Sequence, residues 1–138
     1  MTAETVQTKL AILRENLEKL ERIPQTSFAE FSSDFRNLDS ALHRLQTSIQ
    51  ALIDIASYAT AARGLGVPVS SVDALQKLED AELLPRGATQ RFTPILGFRN
   101  RVVHLYDRID PQIVFQILTR DRTDLEELAR LLLATLAP

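Results

Sequence analysis

The chain of 138 residues contains no cysteine, which excludes disulfide bridges and thiolate metal sites. Tryptophan is also absent, and only four glycines and six prolines interrupt the sequence. A chain without cysteine is compatible with a reducing cytosol. The first residues run directly into a charged amphipathic pattern rather than a signal peptide. We therefore expect a cytoplasmic protein.

Long apolar runs are missing as well. The longest, from Leu131 to Ala137, is interrupted by Thr135 and is far too short to span a bilayer, so we expect no membrane association. No alternation typical of strands recurs along the chain, whereas 45% of the residues are hydrophobic. This composition predicts one all-α domain over residues 1–138 with a core of its own.

Apolar residues recur at alternating spacings of three and four, as on the buried face of a helix. The pattern predicts an antiparallel bundle of four to five helices. The segment 27–35 forms either a short helix of its own or the beginning of the next one. The predicted helices run from Thr2 to Arg22, from Asn37 to Arg63, from Ser71 to about Leu84, through a motif region near residue 100, and from Asp110-Pro111 to Ala137.

The long second helix is apolar on two sides, because Ala51 and Ile55 lie roughly opposite Ile49. Either another helix of the chain or a partner subunit covers the second side, and we favour a two-fold dimer. Asp54 faces this second side. It is either a solvated or hydrogen-bonded carboxylate or a supporting partner of the arginine motif.

Charge is unevenly distributed. The formal net charge is only -2, which argues against a protein coated by nucleic acid. Between Arg86 and Arg108, however, there are five arginines and a single acid, Asp107. Such a basic patch is typical of a site for a phosphate-bearing partner. The alternative is that these arginines pair with acids on neighbouring helices.

The helix that carries this segment begins either at Ala88, with a kink, or at Thr93 with Pro94 in its first turn. We predict the second, because a proline at the first turn lacks only an N–H that would be unpaired anyway. On this helix one stripe should face the core, formed by Ile95, Phe98, Val102, Leu105 and Ile109. Asn100, His104 and Asp107 share the opposite stripe, and Arg99 and Tyr106 lie together on the flank.

His104 is the candidate for proton transfer. A lone histidine is usually a surface residue without chemistry, but His104 has three arginines near it in sequence, whereas His43 has no such neighbourhood. No second histidine lies at ligand spacing from His104, so we expect no metal site. We expect no cofactor. No nucleophile elbow is present either.

Arg99, four intervening residues, His104, Leu105 and Tyr106 match an Arg-x4-His-x-Tyr motif. In this motif, in length and in the order of helices, the chain resembles the HEPN superfamily, and specifically the HepT-like toxins of bacterial and archaeal toxin–antitoxin pairs. The resemblance covers most of the chain.

The resemblance implies a homodimeric, metal-independent endoribonuclease that cleaves RNA, either tRNA or mRNA, by attack of the 2′-hydroxyl. In it His104 is the general acid or base, Arg99 stabilises the phosphorane, and Asn100, Asp54 and Asp107 have supporting roles. Arg91, Arg101 and Arg108 would contact RNA. The resemblance also implies a cognate minimal nucleotidyltransferase antitoxin, which would transfer AMP to Tyr106 and so inactivate the toxin.

Two other hypotheses stay open. The chain could be a catalytically silent HEPN module that binds nucleotide or serves as partner and substrate of a nucleotidyltransferase. It could also be a plain helical dimerisation module. On an ideal helix Arg99 and His104 diverge by about 140°. The side chains of Arg99 and His104 can reach the same phosphate in three ways. The arginine side chain reaches round the helix, the helix loosens near Asp107, or the two residues act across a dimer.

Overall fold

The computed structural model describes residues 2–103 and 108–137, and within them the chain is helical. The elements in chain order are α1 (Ala3–Glu21), α2 (Phe28–Ser32), α3 (Phe35–Ala62), α4 (Ser71–Asp80), α5 (Ala88–Leu96), α6 (Phe98–Val102), α7 (Pro111–Gln116), a π segment (Ile117–Asp121) and α8 (Arg122–Thr135). The predicted all-α bundle is confirmed, with α2 and α6 as short additions. Leu105 and its neighbours at 104–107 lie outside the described residues.

Helix α1 packs along α3 through the apolar stripe that the sequence predicted. Val6, Leu10 and Leu13 are almost fully buried, while the pairs Lys19–Glu15 (2.6 Å) and Arg22–Glu18 (2.5 Å) remain outside. Burial of each such aliphatic side chain contributes about 1.5–3 kcal/mol to stability. The stripe therefore explains why this helix docks on that side.

Helix α3 occupies the centre of the bundle and contacts α1, α4, α5, α7 and α8. Its second apolar side is covered within the chain, because Ala51 and Ile55 are buried at 2% and 1% exposure without any partner subunit. The interpretation of this side as a dimer surface is therefore wrong for these two residues. The homodimer itself stays a prediction.

The third predicted helix ends earlier than expected. Helix α4 begins at Ser71 and is capped by Ser70, whose hydroxyl accepts a hydrogen bond from the N–H of Asp73; it stops at Asp80 rather than Leu84. Glu82 adopts a left-handed conformation (φ 62°), and the N–H of Leu83 bonds back to the carbonyl of Leu78. This left-handed turn ends the helix, although apolar residues continue beyond it.

Glu79, near the end of α4, caps the N-terminus of α5. Its carboxylate accepts hydrogen bonds from the N–H groups of Thr89 (2.7 Å) and Gly87 (3.1 Å). Gly87 itself has no side chain to act as a cap, and its φ of 92° favours glycine. The cap that begins α5 is thus supplied by another helix, across a turn of the chain.

We expect Glu79→Gln to lower the melting temperature by a few degrees at neutral pH, as followed by circular dichroism. The N–H groups of Thr89 and Gly87 lower the pKa of Glu79 from its usual value of 4.5, because they bind the charged form. A pKa that is lower in the folded state contributes stability above the unfolded pKa and loses it as the pH falls through the folded value. The difference in melting temperature between Glu79→Gln and wild type should therefore become smaller at acid pH.

A matched control is Glu21→Gln, since Glu21 is exposed at the end of α1 and has no side-chain hydrogen bond or ion pair within the described part of the chain. This variant should melt like the wild type at every pH. A Glu79→Gln protein with unchanged stability at neutral pH would contradict the capping role.

The C-terminal part of the chain is one helical rod with an interruption. Asp110 caps α7 by accepting a hydrogen bond from the N–H of Gln112, as predicted. The rod then passes through the π segment into α8, which the sequence did not predict. Arg63, at the end of α3, donates to the carbonyls of Thr135 (2.9 Å) and Ala137 (2.7 Å) and so joins the two helix ends. None of the described helices is both long enough and apolar enough to cross a membrane.

Candidate functional site: a cleft beside the arginine motif

The prediction that the motif helix starts at Thr93 is wrong. Helix α5 begins at Ala88, and Pro94 lies inside it. The reason is the tertiary cap from Glu79, which pairs the first N–H groups of α5 and makes Ala88 a better starting point than Thr93. Gly87, which precedes Ala88, has no side chain to act as a cap, so this helix start is recognisable only in the folded chain, where Glu79 reaches it.

The prediction that Ile95 and Ile109 lie on one continuous helix is also wrong. Helix α5 ends at Leu96, Gly97 separates it from α6, and α6 ends at Val102. Val103 is extended and forms an antiparallel bridge with Ile109, while the N–H of Asp110 bonds to the carbonyl of Val102 at 2.8 Å. The helix that carries Arg99 therefore ends at Val102, and the divergence of about 140°, which assumes one ideal helix that continues beyond Val103, no longer counts against convergence.

Helix α6 is held in place by its apolar side. Phe98 and Val102, four residues apart, are buried at 2% and 0% exposure, and Ile95 in α5 is buried at 3%. This part of the predicted stripe is confirmed, whereas Ile109 is 38% exposed and does not belong to it. Because Phe98 and Val102 point inward, Arg99 and Asn100 lie exposed on the outer side.

A cleft of about 970 Å³ lies between α3 and the α5–α6 segment. Its apolar wall is formed by Ile49, Ile53, Leu96, Phe98, Val103 and Ile109. Its polar groups are Arg99 and Asn100 on one side and Gln46, Thr47 and Gln50 on the other. The cleft therefore combines a guanidinium and several amides with an apolar floor, which suits a ligand with both charged and ring-shaped parts.

The arginines of the basic segment divide into two groups. Arg91 pairs with Asp124 at 2.7 Å, and Arg101 pairs with Asp121 at 3.0 Å. For these two arginines the structure confirms the alternative that they pair with acids on other helical segments. Arg86, Arg99 and Arg108 are exposed and make no ion pair among the residues that the structure describes, and of these three only Arg99 lines the cleft. Arg99 is therefore the guanidinium available at the cleft.

Asp54 belongs to a separate ion pair. Its carboxylate lies 2.7 Å from the Lys9 ammonium of α1 and accepts a hydrogen bond from the Gln50 amide at 3.0 Å. Asp54 does not line the cleft, but Gln50 does. Asp54 therefore acts on the cleft only indirectly, by orienting the Gln50 amide.

Gln46, Thr47 and Gln50 were missed as site residues by sequence reasoning. Thr47 is fixed by buried Asn16, whose amide donates to the Thr47 hydroxyl at 2.8 Å. Gln46 and Gln50 are four apart on the side of α3 next to Ile49 and Ile53. This spacing is the only signal in the sequence, and it does not distinguish a cleft wall from an ordinary solvated edge.

The remaining motif residues, His104, Tyr106 and Asp107, lie outside the described residues, so their predicted roles stay predictions. Within residues 2–103 and 108–137, no three histidine, cysteine or acidic side chains are grouped closely enough to hold a metal ion.

Comparisons with known proteins place the chain among ribonucleases. Residues 13–132 match the family model described as ribonuclease HepT-like. The chain is 27% identical to the mRNA nuclease HepT of Shewanella oneidensis over 119 residues, which cover 86% of this chain and 89% of the relative. It is 28% identical to the tRNA nuclease HepT of Aphanizomenon flos-aquae over 114 residues, which cover 83% and 78%.

Solved structures show the same fold. A tri-AMPylated HEPN toxin of Shewanella oneidensis, in complex with an MNT antitoxin, superposes with a TM-score of 0.79 at 25% identity over 97% of this chain and 99% of that one. A mutant of the toxin–antitoxin pair MntA-HpeT superposes with a TM-score of 0.80 at 25% identity, over 95% and 98%.

Proposed function

This chain belongs to the HepT-like ribonuclease family, and from that premise we propose that it is the toxin of a toxin–antitoxin pair. In this proposal it is a cytoplasmic, metal-independent endoribonuclease that cleaves mRNA or tRNA. The observation that carries the proposal is the exposed guanidinium of Arg99 on the cleft, without an ion pair among the described residues, while Arg91 and Arg101 are paired. A free guanidinium binds phosphate through charge-assisted hydrogen bonds.

The proposed reaction joins the 2′-oxygen of RNA to the neighbouring phosphorus and breaks the bond from phosphorus to the 5′-oxygen of the next nucleotide. The products are a 2′,3′-cyclic phosphate and a 5′-hydroxyl end. His104 removes the proton of the 2′-hydroxyl or supplies one to the leaving oxygen. Arg99 stabilises the charge that grows on the phosphorane oxygens.

Polar groups around Arg99 support this chemistry. Asn100, next to Arg99 on the exposed side of α6, orients the phosphate or the ribose, and Asp107 is assigned a supporting role beside His104. Gln50, held by Asp54, faces Arg99 and Asn100 from α3. Arg108, which is exposed and unpaired within the described chain, adds positive charge close to Ile109 at the cleft. The proposed RNA contacts of Arg91 and Arg101 would require their ion pairs with Asp124 and Asp121 to open.

We further propose that the active form is a homodimer. The apolar floor of the cleft is incompletely covered, since Ile109 is 38% exposed and Leu96 and Val103 are half-buried. A second copy placed there by a two-fold axis would cover these side chains. It would also bring two copies of the motif together, so that Arg99 of one chain could serve His104 of the other.

Incubation of the purified protein with tRNA and with mRNA in EDTA tests the proposal. The wild type should cleave at least one of them, with 2′,3′-cyclic phosphate ends, and His104→Ala should be slower by about 100- to 10,000-fold. Failure to cleave either RNA at any salt concentration would favour the silent HEPN module that binds nucleotide or serves a nucleotidyltransferase as partner and substrate.

A further inference from the structure

A second cavity of about 300 Å³ lies between α2 and α7, apart from the cleft, and has aromatic walls. The half-buried rings of Phe28 and Phe115 meet edge to face, with centroids 5.6 Å apart. Phe31, fully buried, packs against both at 6.3 and 5.3 Å. We call this cavity the aromatic pocket. Because Phe31 anchors the two partly exposed rings in the core, they form a rigid surface.

The rim of the aromatic pocket is polar and basic. Gln112 and Gln116 of α7 line it, followed by Thr119 and Arg120 of the π segment. Arg120 is exposed and makes no ion pair within residues 2–103 and 108–137. The adjacent acid, Asp121, already pairs with Arg101. The rim thus carries an unneutralised positive charge and no acid.

Helix α7 extends from the edge of the cleft to the aromatic pocket. Ile109 lines the cleft, Asp110 caps α7, and Gln116 is the last residue of that helix. At about 1.5 Å per residue, the path from Asp110 to Gln116 is about 9 Å. Stacked nucleotides rise about 3.4 Å each, so an RNA strand in the cleft reaches the aromatic pocket within a few nucleotides.

We propose that the aromatic pocket binds an unstacked base of single-stranded RNA that extends from the cleft, with Arg120 holding the adjoining phosphate. This inference rests on the proposed ribonuclease function and adds a second RNA subsite to it. Aromatic rings that stack on bases, combined with a basic rim, are the features by which proteins bind single strands. The amides of Gln112 and Gln116 supply donors and acceptors for base edges.

The test measures binding rather than cleavage. A fluorescent single-stranded RNA of about twelve nucleotides is titrated by anisotropy into the full-length His104→Ala protein at several salt concentrations, and a dinucleotide, which is too short to extend from the cleft to the aromatic pocket, serves as the short ligand. In the same background, Arg120→Ala should weaken binding of the longer RNA about three- to tenfold and reduce the salt slope by about 0.7. Phe115→Leu should weaken it at least about fivefold. Dinucleotide affinity should not change.

Two variants serve as matched controls. Arg14→Ala removes an exposed arginine of α1 that makes no ion pair within the described chain, and Phe35→Leu removes a phenylalanine that is 74% exposed. Neither residue lines the aromatic pocket, so both variants should bind like the parent. Arg120 lies on the surface, so Arg120→Ala should keep the fold. This variant therefore tests the proposal even if Phe115→Leu loses stability.

Unchanged affinity and salt slope in Arg120→Ala would overturn the proposal. The proposal would also be overturned if Arg120→Ala and Phe115→Leu kept their RNA affinity but lost affinity for a nucleotidyltransferase antitoxin. The aromatic pocket would then be a protein-docking surface. Wild type that binds the longer RNA through Arg120 but never cleaves RNA would refute the nuclease function and leave the aromatic pocket intact.

Discussion

Replacing Arg99 by alanine should reduce RNA cleavage by about 100- to 1,000-fold without unfolding the protein. Loss of one preorganised donor to a developing oxyanion costs this much in other enzymes. The side chain is exposed at the cleft and has no partner among the described residues, so its removal leaves no buried group unpaired. The rate is measured under single-turnover conditions, and the fold is checked by thermal unfolding.

Arg101→Ala is the matched control for Arg99→Ala, because it removes the same group two residues away in α6. The guanidinium of Arg101 is occupied by Asp121 at 3.0 Å, and an ion pair of such exposure contributes about 0–1 kcal/mol. We expect cleavage within about fivefold of wild type. Equal losses in the two variants would show that the ion pair does not decide which arginine serves the site.

Tyr106→Phe should abolish transfer of AMP from ATP by the cognate nucleotidyltransferase. In the proposed modification, the phenol oxygen of Tyr106 attacks the α-phosphorus of ATP and pyrophosphate leaves. The new phosphodiester places negative charge near the basic segment, which repels RNA and occupies its space. Intact-mass spectrometry after incubation with ATP and the antitoxin should show adenylyl groups on the wild type and none on the variant, which keeps cleaving RNA.

The other tyrosine of the chain provides the control. Tyr58 is half-buried on α3, and Tyr58→Phe should be modified and inactivated like the wild type. If adenylyl mass persists on Tyr106→Phe, another hydroxyl is the acceptor. If neither protein is modified, the chain is not regulated in this way.

Local patterns were sufficient for α1, α3 and the starts of α4 and α7. In these segments the apolar period, the capping residues Ser70 and Asp110 and the stop after Arg63 all agree, so tertiary contacts had nothing to override. Where a contact between helices decides the outcome, the same patterns failed. The start of α5 depends on the Glu79 carboxylate, and the end of α6 depends on the bridge between Val103 and Ile109.

Sequence by itself determined that this protein is helical, which side chains form most of its core, and that it resembles the HepT-like ribonucleases. These properties depend on residue order and spacing along single helices. Only the tertiary structure decided that Arg91 and Arg101 pair with acids while Arg99 makes no ion pair within residues 2–103 and 108–137, and that Gln46, Thr47 and Gln50 face Arg99 and Asn100 across a cleft. The physical reason is that an ion pair or a cleft wall joins groups that are distant in sequence, and no periodicity records which of them meet.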